Sequence, residues 1–135
     1  MSITINGAAP LFQVFDMPVS VSFYRDKLGF KLVDSSGQGD NADWVLLKRD
    51  TVELMLNTAY EEGERPPSPD PLRVRHHDDT SIYFGCPDVD AAYDYMVAKG
   101  ARPGKPYITK YGWKAMDLND PDGYHLCFHW PVDHS

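Results

Sequence analysis

The chain has 135 residues, 42% of them hydrophobic and 24% charged, with a formal net charge of −7. That length supports one domain with its own core but not two independent ones. The acidic balance argues against nucleic acid, which needs clustered Lys and Arg, and no run approaches the roughly 18 apolar residues of a membrane span.

Its first residues, MSITINGAAPLF, lack the basic start and long apolar core of a signal peptide, so the chain reads as cytoplasmic and not membrane-bound. The two cysteines, Cys86 and Cys127, are too few for a disulfide framework. An acidic surface keeps a protein soluble and also attracts cationic ligands over long range.

The first element is an alternating run, PLFQVFDM, which predicts a strand. In DMPVSVSFYRDKLGF, Asp16 is a helix N-cap, Pro18 sits in the first turn and Gly29 stops the helix. Val21, Tyr24 and Leu28 fall on one face of it. FKLVDSS, DWVLLKRD and TVELMLNT predict three strands, the last two joined by a tight turn near Lys48 to Asp50. Residues 61–79 hold four prolines and many charges and read as a linker or surface loop, with His76 and His77 as solvated loop histidines.

The pattern then repeats. TSIYFGCPDV predicts a strand, and DVDAAYDYMVAKGA a helix capped by Asp88, stopped by Gly100, with Val89, Ala92, Tyr93, Met96 and Val97 on one face. ARPGKPYITK, WKAMDLND and GYHLCFHW follow as strands, with Pro121 and Gly123 shaping the last turn. Phe12 and Phe84 are 72 positions apart, and so are Asp16 and Asp88. The expectation is a single α+β domain of two tandem β-α-β-β-β modules, residues 7–60 and 80–132, whose strands form a curled mixed sheet around a concave cleft.

Alternation sorts the strand side chains. Phe12, Val14, Val52, Leu54, Leu56, Ile82, Phe84, Cys86, Leu126, Phe128 and Trp130 form an apolar face for the helices. The other face is mixed, with Leu11, Gln13, Glu53, Met55, Ser81, Tyr83, His125, Cys127 and His129. A few polar groups among apolar ones suit a cleft wall, or a sheet face that packs on another subunit. His125, Cys127 and His129 look at first like a metal site. Alternate residues of one strand, however, are about 6–7 Å apart, so they rarely converge on one ion.

FYRDKLGF, DVDAAYDYMVAKGA and YGWKAMDLNDPDGYHLCF, in this order on a duplicated pattern, resemble the vicinal oxygen chelate superfamily, which includes glyoxalase I, extradiol dioxygenases and bleomycin-resistance proteins. The Asp-Pro-Asp-Gly turn is the most specific part. The resemblance implies paired modules around a concave site and a homodimer, often with shared sites. It also implies, in metal-dependent members, four ligands on the first and last strands of each module. Those positions fall here on Ala9, Glu53, Ser81 (or Thr80 with a one-residue slip) and Cys127. Only Glu53 is a residue expected there.

The expectation is therefore a small-molecule-binding protein close to the metal-free bleomycin-resistance branch, with no cofactor, taking up a cationic or aromatic compound such as an antibiotic. Its candidate ligand-binding residues are Leu11, Gln13, Trp44, Glu53, Met55, Tyr83, Tyr111, Trp113, His125, Cys127 and His129. The alternative is a divalent-metal enzyme, a glyoxalase-like lyase or a dioxygenase, with Glu53 as ligand or base. A metal-free acid–base enzyme is a third reading, for which the sequence offers no nucleophile–base constellation.

Overall fold

The computed structural model describes residues 2–37, 39–61 and 63–132. In module one, β1 (Leu11–Val14) leads to α1 (Met17–Ser22), which continues as a π-helical turn over Phe23–Lys27. β2 (Lys31–Ser35), β3 (Trp44–Arg49) and β4 (Val52–Thr58) follow. Module two runs β5 (Ser81–Gly85), α3 (Val89–Ala98), β6 (Tyr107–Ile108), β7 (Trp113–Asn119) and β8 (His125–Pro131). Each module is β-α-β-β-β, and each forms its own four-stranded mixed sheet, in the orders β1-β4-β3-β2 and β5-β8-β7-β6. In both sheets the first strand runs parallel to the last. The two sheets are not joined into one.

The helices begin where the sequence places their caps. Asp16 accepts the Val19 N–H and Asp88 accepts the Ala91 N–H, each satisfying one of the donors that a helix start leaves open. The helices cover one face of each sheet. Phe12, Val14, Leu54 and Leu56 from module one join Phe84, Leu126 and Phe128 from module two in one buried cluster, with Val21, Tyr24, Val89 and Met96 from the helices. Burial of this apolar area is the main stabilising term. Two side chains assigned to the core lie outside it. Val97 is exposed because the face of α3 that meets the sheet is narrower than its apolar stripe. Trp130 is 42% exposed near the end of β8, where its ring edge packs toward Gly85.

The segment between the modules folds. α2 (Pro71–His76) starts at Asp70, whose side chain accepts the Leu72 N–H, and a 3₁₀ turn continues over His77–Asp79. His77 is not a solvated histidine. Its ring stacks on Tyr124 at 4.0 Å, and Tyr124 stacks on Phe12 at 4.0 Å. His77 Nδ1 lies 2.7 Å from the Asp122 carbonyl, an acceptor only, so that nitrogen carries the proton. Arg73 of α2 and the Tyr124 hydroxyl both donate to the Gln13 carbonyl, which covers the outer edge of β1.

The turn from Asp120 to Gly123 fastens the two modules. Asp122, almost fully buried, accepts from the Phe15 N–H at 2.8 Å, Ser20 Oγ at 3.2 Å and Arg73 at 3.0 Å. Asp120 accepts from the Tyr24 hydroxyl at 2.7 Å and from the N–H groups of Asp122 and Tyr124 at 2.9 Å each. Burial raises the Asp120 carboxyl from 3.8 to about 6 and pushes the Tyr24 hydroxyl well above its ordinary value. Among the described residues no helix is long and apolar enough to cross a membrane.

Candidate functional site

The predicted binding residues fall into two groups, one on each sheet. On module one, strand register puts Leu11 beside Met55 and Gln13 beside Asn57, with Trp44 also opposite Asn57. Glu53 lies further along β4, exposed and opposite Lys48. These side chains occupy the face away from the core, and Leu11 is 45% exposed.

On module two, Tyr83 pairs with Cys127, Cys127 with Asp117, and His129 with Ala115. Tyr83 is 59% exposed. It stands edge-on to His129 at 5.0 Å and to His125 at 6.2 Å, while Trp113 lies against His129 at 4.5 Å. Together they make a continuous aromatic wall. Tyr111, in the turn before β7, is exposed beyond the sheet.

The faces are separate within one chain. Both sheets turn their apolar sides to the common core, so each mixed face looks outward. Asn57 reaches Gln13 on the first face, and His125, His129, Tyr83 and Trp113 make their ring and hydrogen-bond contacts on the second. Two concavities of about 520 and 490 Å³ lie elsewhere, one beside Phe15, Tyr60 and Arg65, the other between Val52, Phe84 and Met96, and neither is lined by a predicted binding residue.

The centre of the module-two face is a residue the sequence reading passed over. Asp117 accepts from the Tyr107 hydroxyl at 2.6 Å and from His125 Nε2 at 2.7 Å. Burial works to raise its carboxyl, but the hydrogen bonds from Tyr107 and His125 outweigh burial and hold it below 3.8. The ionised carboxylate raises Tyr107 in turn to about 12. His125 Nδ1 lies 2.8 Å from Ser81 Oγ. Sorting WKAMDL by alternation would have put Trp113, Ala115 and Asp117 on this face.

Each member of the His-Cys-His run thus has a different task. His125 is held by Asp117 and Ser81, and His129 packs between Trp113 and Tyr83. Cys127 is 1% exposed, and burial, then the Asp117 charge, push its thiol up to about 11. Metal-dependent members of the resembling family would need donors at Ala9, Glu53, Ser81 and Cys127. Ala9 has none, and Ser81 Oγ is committed to His125. Among the described residues no three His, Cys, Asp or Glu side chains are placed to hold a metal ion. These residues do not fit that metal.

Known structures share this architecture. A bleomycin-binding protein complexed with bleomycin is 23% identical over 93% of this chain and 98% of its own, with a TM-score of 0.69. A bleomycin resistance determinant encoded on transposon Tn5 is 23% identical over 94% and 98%, with a TM-score of 0.71. A bleomycin-binding protein from bleomycin-producing Streptomyces verticillus, complexed with copper(II)-bleomycin, is 20% identical over 98% and 100%, with a TM-score of 0.68. At these identities the likeness establishes the fold. No curated protein matches the chain. The family model for the Glyoxalase/Bleomycin resistance protein/Dioxygenase superfamily matches residues 5–128, nearly the whole chain, and the chain belongs to that superfamily.

Proposed function

We propose that the protein binds a cationic or flat aromatic small molecule without a metal, in a cleft made when the two mixed faces of different copies meet in a homodimer. The observation that carries this reading is the placement of the binding residues. Apart from the buried Cys127, they lie on two outward faces rather than in a pocket of one chain, so a second copy would enclose them. Leu11, Gln13, Trp44, Glu53 and Met55 of one copy would then face Tyr83, Tyr111, Trp113, His125, Cys127 and His129 of another.

The chemistry of the two faces supports a cationic aromatic ligand. The rings of Tyr83, His129 and Trp113 offer surfaces for stacking. Asp117 and Glu53 supply negative charge, and the net charge of −7 steers cations toward the molecule. Bleomycin, the ligand held by two of the fold neighbours, is the first compound to try.

The test is calorimetric titration of the chelator-treated protein with bleomycin and a panel of cationic aromatic compounds, with light scattering to give the mass in solution. Saturable binding by a dimer supports the reading. Bound transition metal near one equivalent per chain, lost on Glu53→Gln, would overturn it in favour of the metal-dependent enzyme.

A further inference from the structure

Three strands of module two bring together groups far apart in sequence. Ser81 comes from β5, His125 from β8 and Asp117 from β7. The hydrogen bonds fix the proton positions. An ionised Asp117 only accepts, so the 2.7 Å contact obliges His125 Nε2 to donate. In the neutral ring Nδ1 then carries the lone pair, and the 2.8 Å contact is Ser81 Oγ–H donating to it. The ring is held from one side by a carboxylate and holds a serine hydroxyl on the other. The second oxygen of Asp117 is fixed by Tyr107 at 2.6 Å, so the carboxylate is itself oriented.

From this geometry we infer that Ser81 is a nucleophile activated by His125 and oriented through Asp117, and that the module-two face can hydrolyse small esters carrying a flat ring. The ring nitrogens are used in the opposite sense from the familiar serine hydrolase arrangement, with the serine on Nδ1 and the carboxylate on Nε2. The roles are unchanged, and such sets are defined by geometry and role rather than by sequence order.

Two features of the surroundings fit this chemistry. Ser81 is exposed, so a substrate can reach Oγ. Tyr83, two residues along the same face, offers a ring for a flat substrate group. β5 is also an edge strand. Thr80 O and Cys86 N bond toward β8, so the alternating N–H groups of Ser81 and Tyr83 point to the open edge, as donors for a developing oxyanion.

The reaction balances with water alone. Ser81 Oγ attacks the ester carbonyl carbon as its proton passes to His125 Nδ1. The bond from carbonyl carbon to alkoxy oxygen breaks, and the alcohol leaves with that proton. Water then gives a proton to Nδ1 and attacks the acyl-serine. The carboxylic acid is released, and the proton returns to Ser81. The inference goes beyond ligand binding and does not depend on the dimer cleft.

A fluorophosphonate bearing an aryl group tests it, because it phosphonylates an activated serine far faster than an ordinary one. Peptide mass mapping of the full chain is expected to place one adduct on Ser81, with p-nitrophenyl acetate turned over in parallel. Ser81→Ala should abolish the adduct and the turnover. His125→Gln should slow adduct formation by about 100-fold, the scale of a positioned general base, while Ser68→Ala, on the exposed proline-rich segment, leaves both unchanged. Far-UV circular dichroism and the thermal midpoint of each variant report whether it folds. An unlabelled Ser81 in folded wild-type protein, or labelling undiminished in folded His125→Gln, overturns the inference and leaves the array as a tie between strands. Binding of bleomycin by Ser81→Ala would keep the binding proposal standing in either case.

Discussion

Asp122 and Arg73 form a 3.0 Å ion pair whose side chains are only 2% and 17% exposed, and it joins the final turn of the chain to the helix between the modules. Asp122 also holds the Phe15 N–H and Ser20 Oγ, so removing its carboxylate would leave three donors without their acceptor. Breaking a buried pair by deleting one partner costs about 3–5 kcal/mol. Asp122→Ala is expected to lower unfolding stability by that amount in urea titration, and Asp122→Asn, which keeps an acceptor, by less.

Gly123 and Gly100 make a matched pair for testing close approach. Both have positive φ, +88° and +92°. A Cβ on Gly123 would lie 2.4 Å from the Val74 carbonyl oxygen of α2, whereas one on Gly100 meets nothing within 4 Å. Gly100→Ala should therefore cost about 1 kcal/mol, the conformational penalty alone. Gly123→Ala should cost more than twice as much, since α2 must move and carries Arg73 with it. Chemical denaturation of the two variants side by side reads the difference.

Asp120 gives the fold a pH signature. Its carboxyl titrates at about 6 in the folded chain, raised by burial from 3.8. The folded state therefore binds this proton more tightly than the unfolded state. The resulting stability is fully present below about pH 4 and is lost as pH rises to about 6. Its size is at most about 3 kcal/mol. Asp26 and Asp117, both lowered by hydrogen bonds, act in the opposite direction, with stability present above 3.8 and lost at lower pH. The check is the difference in unfolding free energy between wild type and Asp120→Asn from pH 4 to 7. Wild type should lose ground relative to the variant as pH rises, and a constant difference would contradict the assignment.

The two thiols should differ in reactivity. Cys127 is buried and its thiol is pushed up to about 11, so it should resist a disulfide reagent until the chain unfolds. Cys86 is half-buried and raised by burial to a lesser extent, so it should react first and slowly. Timed labelling with mass mapping, in buffer and in denaturant, distinguishes the sites.

Much of the fold is legible in the sequence because two periods carry it. Alternation in β1, β4 and β5 separates Phe12 from Gln13, Leu54 from Glu53 and Phe84 from Tyr83, and helical spacing picks out Tyr24 and Met96. Periodicity says nothing of register between strands. Asp117 meets Cys127 only because β7 pairs with β8 at that offset, so the hydrogen-bonded array of Ser81, His125 and Asp117 could not be read from any one segment. Alternation also continues past the region where a strand is covered, which is why Trp130 looked like core. The prolines and charges of 61–79 concealed α2, whose six residues are held by Arg73, Val74 and His77 contacts rather than by an apolar stripe of its own.

Metal-free recognition in a shared cleft is tested most directly by titrating bleomycin into the protein in the presence of excess chelator. Saturable binding with one site per chain, quenching of tryptophan fluorescence that is lost in Trp113→Phe, and the same affinity with and without chelator are expected. Binding that appears only when a divalent transition metal is restored would contradict it.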